Sequence, residues 1–237
     1  MKRCFTPDLR ALVLASVLLL AATPAAALSF VNGEISANYW YASPAGDLFY
    51  GGDGPANAVE NDLGLEGEGQ ISVYARLGLP IVTFDGHTTS IGYTGKTQNS
   101  GTYDSAYASG ESTEFNIELT HAGVMFNPLS LMEVVDIGVG LGLTAVNGEV
   151  RVGSREDSKV SVLFTGKAEV RVYLPATPCL AALSYRSSDY VDDINAELGY
   201  KLATFVQARA GYRHITFDDD RYDGTITGLF AGLSAVF

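Results

Sequence analysis

Between residues 160 and 174 the chain alternates in character. Val160, Val162, Phe164, Ala168, Val170, Val172 and Leu174 share one face of an extended strand, and Ser161, Thr165, Lys167, Glu169, Arg171 and Tyr173 share the other. A water-soluble sandwich seldom carries so long a strand with three successive charges on its second face. A transmembrane barrel with a polar lumen does so routinely.

The same period of two recurs along the chain. At 30–42, Val31, Ile35, Ala37, Tyr39 and Tyr41 oppose Asn32, Glu34, Ser36, Asn38 and Trp40. At 69–80, Ile71, Val73, Ala75, Leu77 and Leu79 oppose Ser72, Tyr74, Arg76 and Gly78. Segments 86–97, 114–126 and 134–146 follow, and the alternation of 114–126 loses phase near Met125, which reads as a bulge. Four shorter segments, 179–188, 193–202, 205–217 and 224–237, complete a set of ten. Each is close to or above the roughly 9–11 tilted residues that cross a membrane. The pattern predicts an all-β fold, a transmembrane antiparallel up-and-down β-barrel of about ten strands, or eight without the weakest pair at 179–202. A soluble lipocalin-like barrel is the alternative, with the same alternation turned inside out. The last segment, with Leu229, Ala231, Leu233 and Ala235 on one face and an aromatic Phe237 at its end, reads as the closing strand beside 30–42.

Connections support this reading. With both termini on the periplasmic side, the first and third connections, 43–68 and 98–113, fall outside and are long and rich in Gly, Asp, Asn and Ser. The other outer connections, 147–159, 189–192 and 218–223, are shorter and polar. The inner ones hold Pro80, Pro128, Pro175 and Pro178, where a residue without an N–H breaks no ladder.

Lys2, Arg3 and Arg10 precede an uncharged run, and Ala25 to Ala27 supply small residues at a cleavage site, so residues 1–27 read as a signal peptide and 28–237 as one barrel domain. Its removal takes the basic count from 15 to 12 and the acidic count from 27 to 26, a net charge of about −14 that argues against a nucleic-acid partner. Cys179 then stands alone, which excludes an intramolecular disulfide and a cysteine-based metal site.

The signal peptide, N-D-L-G-L at Asn61 to Leu65, G-Y-R at Gly211 to Arg213, and Asp223-Gly224 leading to G-L-x-A-V-F at the terminus resemble a family of small outer-membrane β-barrel proteins of Gram-negative bacteria. That family has no established reaction. The resemblance implies residence among outer-membrane lipid and lipopolysaccharide, and Phe237 as a recognition signal for the barrel-assembly machinery; the barrel itself is expected to be monomeric or weakly associated. It supplies no catalytic residue and no cofactor.

Charges on the lumen face are mixed in sign: Glu34, Arg76, Glu118, Lys167, Glu169, Arg171, Arg186, Glu197, Lys201, Arg209 and Arg213. A barrel this narrow is filled by its own side chains, so these residues are expected to form a cross-braced ionic core, with a narrow selective pore as the alternative. Asp189, Asp192, Asp193, Asp218, Asp219 and Asp220 lie in neighbouring outer connections and form a weak candidate rim for a hard divalent cation, although no EF-hand spacing is present. Omptin proteases and lipid A deacylases share this architecture, and His214 with Asp218 to Asp220, or His87 to Ser90, are the nearest matches to their sites. His214 falls in an outward phase and His87 near a periplasmic turn, so the chain is read as non-enzymatic, with a structural or envelope-interaction role; a surface adhesin or ligand-binding barrel, with its tip in the long Tyr- and Gly-rich loops, is the alternative.

Overall fold

A computed structural model describes residues 31–52, 54–131 and 134–237. The expected signal peptide at 1–27 lies outside the described residues. Thirteen strands follow in order: β1 (Asn32–Leu48), β2 (Asn57–Ala58), β3 (Glu68–Gly78), β4 (Val82–Lys96), β5 (Gly101–Tyr103), β6 (Ser105–Tyr107), β7 (Ser112–Leu131), β8 (Val135–Val152), β9 (Arg155–Tyr173), β10 (Cys179–Ser187), β11 (Val191–Ala203), β12 (Val206–Asp218) and β13 (Tyr222–Val236). Ten of them form the barrel wall, each antiparallel to its neighbours. β2 is a two-residue rung on the top of β1, and β5–β6 is a separate hairpin within the third connection. The barrel closes where β1 pairs with β13, from Glu34 opposite Val236 to Leu48 opposite Tyr222. Both strands of the weakest predicted pair are present, as β10 and β11, which excludes an eight-stranded wall.

The outward face carries an apolar belt that includes Ile71, Leu77, Phe84, Val139, Leu141, Leu183, Leu198, Leu229 and Leu233, all exposed. The inward face changes chemistry along the strands. On β4 it runs Thr83, Asp85, His87 and Thr89, then Ile91 and Tyr93; on β12 it runs Gln207, Arg209 and Arg213, then Ile215 and Phe217. β1 follows suit, from Glu34, Ser36 and Asn38 to Trp40 and Ala42. The lower lumen is therefore polar, and the outer end holds an apolar core. Phe115 lies edge-on to Tyr222 at 5.0 Å between ring centroids, and Tyr103 and Tyr107 of the loop hairpin are buried against this core.

This switch explains the apparent loss of phase on β7. Phe115, Ile117 and Leu119 point inward and Val124 and Phe126 outward, with no change of backbone phase between them. The register shift itself lies lower, between Phe126 and Leu129.

β7, β8 and β9 are unusually long, at 20, 18 and 19 residues. At roughly 3.3 Å per residue and a tilt near 40°, nineteen residues rise about 48 Å, close to twice the ~25 Å apolar band of such barrels. The fifth connection is correspondingly short: β8 and β9 pair as far as Val152 opposite Arg155, where a polar loop over 147–159 was expected. Charge pairing across the ladder, with Arg151 bonded to Glu114, Glu149 and Glu156, lets this segment continue as a solvated hairpin.

Candidate functional site: the braced lumen and its cap

Alternation delivers six basic side chains to the lower lumen, Arg76, Lys167, Arg171, Arg186, Arg209 and Arg213, and six acidic ones, Glu34, Asp85, Asp136, Glu169, Asp193 and Glu197. Arg171 reaches Glu34 at 2.8 Å and Glu169 at 2.7 Å, and Arg76 bonds Glu169 and also Asp136 at 3.1 Å. Arg209 bonds Glu197 and contacts Glu34 at 2.9 Å. Lys167 lies 2.8 Å from Asp85 and 3.2 Å from Glu169. Higher up, Asp193 is held by Arg213 at 2.9 Å and by Arg186 at 3.2 Å. Lys167 and Arg209 also stand over the Tyr74 ring at 5.7 and 5.6 Å, and Arg213 over Trp40 at 5.0 Å.

Equal numbers of opposite charges leave the lumen neutral, the condition under which charges survive burial. The lumen encloses a polar cavity of about 40 Å³ lined by residues such as Asn38, Tyr74, His87 and Asn195, and a smaller one of about 20 Å³ beside His121, Thr144 and Thr165. The larger has room for roughly three water molecules.

Nine of the eleven predicted lumen residues occupy it: Glu34, Arg76, Lys167, Glu169, Arg171, Arg186, Glu197, Arg209 and Arg213. Two do not. Glu118 is exposed on the outside, because Ile117 and Leu119 take the inward phase in the apolar outer core. Lys201 is exposed beside the register shift that ends β11 at its turn into β12.

Other lumen residues escaped the sequence reading. Asp85 lies one residue before the predicted segment, although it shares the inward phase of Thr83 and His87. His87 is not near a periplasmic turn but buried in the lumen, 3.0 Å from the Thr89 hydroxyl and 2.8 Å from Arg186. His121 joins it, 3.0 Å from Thr144, which contacts Thr165 at 2.7 Å.

The acidic rim does not converge. Asp192 and Asp193 are consecutive, so a strand sends them to opposite faces: Asp192 accepts from the exposed Tyr185 hydroxyl at 3.0 Å, and Asp193 is in the lumen. Asp189 and Asp218 are exposed. Asp219 and Asp220, in the β12–β13 turn, both accept from Lys159. Hydrogen bonds from Asp219 and Lys159 hold the Asp220 carboxyl down to about 2, while burial pushes Asp219 up. Among the described residues no group of three or more His, Cys, Asp or Glu side chains is placed to hold a metal ion. His214 points outward and contacts Thr216 at 3.1 Å, away from Asp219 and its ion pair.

No protein-family model matches the chain, and no curated protein matches it. Among solved structures it is similar to Ail, the attachment invasion locus protein of Yersinia pestis, with 14% identity over 88% of this chain and 99% of that one, at a TM-score of 0.42. It is also similar to the translocator domain of the autotransporter NalP from Neisseria meningitidis, with 11% identity over 97% and 95% of the two chains and a TM-score of 0.45. The outer membrane protease OmpT from Escherichia coli shares 10% identity over 91% and 99%, at 0.44. These neighbours are β-barrels of Gram-negative bacteria. The closed barrel of this chain rests on its own strand pairing, and the likenesses assign no role to its residues.

Proposed function

We propose that the chain is an integral outer-membrane barrel whose lumen braces the wall and does not conduct, and whose outer end serves interaction at the envelope. The observation that carries this reading is the two-layer interior: a charge-balanced ionic network below, and an apolar core of Tyr93, Phe115, Phe217 and Tyr222 above it. An ion crossing the barrel would have to break the first and then desolvate in the second, and each step is costly. The apolar belt meets outer-membrane lipid, and the polar hairpin of β7, β8 and β9 stands at the level of lipopolysaccharide. The barrel works as a monomer, and Phe237 is its signal to the assembly machinery. No catalytic residue is assigned.

Conductance of the refolded protein in a planar bilayer tests the reading. Silence is the expected result. Reproducible single-channel steps would replace the brace with a narrow pore.

A further inference from the structure

One wall of the barrel is incomplete near its outer end. β9 pairs with β10 only as far as Gly166 opposite Ser187, while on its other side it stays paired with β8 up to Arg155. Among the described residues, 155–165 therefore have a strand partner on one side only. Above the short 188–190 turn, β9 faces the β12–β13 turn across a seam closed by side chains instead of a backbone ladder. Lys159 crosses it to Asp219 and Asp220, and Arg221 crosses back to Asp157 at 2.8 Å and to the Ser158 carbonyl at 2.6 Å.

Directly behind the seam is a cavity of about 50 Å³ in the apolar outer core. Phe115, Ile117, Val146, Val150, Phe217 and Tyr222 form its apolar wall, and the seam residues form its rim. Gly148, on β8 opposite Lys159, faces the cavity, and a Cβ placed there would meet nothing within 4 Å. Outside the seam the same edge of β9 presents Val160, Val162 and Phe164, which are 72%, 67% and 64% exposed. An apolar external surface, a gap in the ladder and an apolar internal cavity thus follow one another along one line.

We propose that this cavity binds the end of a single hydrocarbon chain, which enters sideways from the lipid phase through the seam between β9 and the β12–β13 turn. A cavity of this size accepts roughly three to five water-sized groups, which suits a chain terminus and not a ring-bearing or two-chain body. The polar end of such an amphiphile stays at the rim, where Asp157, Asp219 and Asp220 outnumber Lys159 and Arg221. The proposal rests on the membrane-embedded reading above, and it gives the closed outer end of the barrel a ligand class.

Photo-crosslinking tests it with the full mature barrel in lipid nanodiscs. In one arm the disc lipid carries a diazirine at the end of an acyl chain, and in the other a free diazirine-bearing alkyl alcohol is added. Peptide mass spectrometry then maps the label, and heat-modifiable gel mobility scores each sample for a folded barrel. Label concentrated on residues 146–150, 157–161 and 217–222 is the expected result, and the arm that produces it identifies lipid or free amphiphile as the source. Gly148→Leu fills open space and should lower that label at least about ten-fold, the loss of roughly two buried methylenes, with labelling of the outer belt unchanged. Label spread along the belt in both arms, or cavity label insensitive to Gly148→Leu in a folded barrel, would overturn the site. Failure of the protein to enter the discs would instead overturn the membrane reading beneath it.

Discussion

Asp193 offers the sharpest test of the brace. It accepts from Arg213 Nε at 3.0 Å and Nη2 at 2.9 Å, and lies 3.2 Å from Arg186. Among the described residues it is the one carboxylate in ion-pair range of either arginine, whose other polar contacts are the neutral Thr89 hydroxyl and His87 ring. Asp193→Asn keeps the shape and leaves two buried guanidinium groups without a counter-charge. Removing one partner of a buried pair costs about 3–5 kcal/mol, and that is the loss expected. Arg213→Met leaves Asp193 with Arg186 and should cost less, about 1–3 kcal/mol, the range for losing hydrogen bonds to a charged group. The double variant should cost less than the sum of the two, by roughly 0.5–3 kcal/mol. Urea unfolding of the protein reconstituted in lipid vesicles measures all three, followed by fluorescence of Trp40, the chain's one tryptophan. If Asp193→Asn costs under about 1 kcal/mol with an unchanged urea dependence, the idea that this carboxylate holds the upper lumen together fails.

Phe115→Ala removes the ring that meets Tyr222 and Tyr93 in the outer core, and should cost about 3–5 kcal/mol in the same unfolding assay. The variant should remain silent in bilayers because the ionic layer below is intact. Asp220 has a folded-state pKa depressed from 3.8 to about 2, so its stabilisation is present above pH 3.8 and lost as pH falls through 2. The group is largely exposed, so the effect is under about 1 kcal/mol. Asp220→Asn should flatten the urea midpoint between pH 5 and pH 2 by that amount relative to the parent. Phe237 pairs with Gly33 through its backbone, and its ring packs over Gly33 where a Cβ would otherwise stand. Phe237→Ser should slow assembly in cells, measured as unfolded precursor in the periplasm, with refolding in detergent less affected.

The wall of this barrel was legible in the sequence because a strand sorts side chains with a period of two, and ten such segments with alternating turn types leave few closures. Height along the strand was not legible. A polar inward face holds only in the lower lumen. Higher up the interior turns apolar, and on β7 the outward face turns polar, so periodicity alone places Glu118 in the lumen and makes the inward Phe115 and Ile117 look like a slip of phase. Neighbouring acidic residues misled for a related reason: Asp192 and Asp193 are adjacent in sequence and separated by the wall in space. The seam on β9 was beyond reach altogether, since it depends on how far β10 climbs beside β9, a matter of relative strand length that periodicity does not encode.

The ionic brace, the outer core and the seam act as described in a wall whose apolar belt meets lipid and not a folded core. The most direct measurement is density-gradient fractionation of envelopes from an expressing Gram-negative strain, with gel mobility compared before and after heating. The account predicts that the chain sediments with the outer membrane, resists urea extraction and migrates differently when boiled. A chain found in the soluble fraction with a single mobility would contradict it and leave the inside-out lipocalin-like reading in its place.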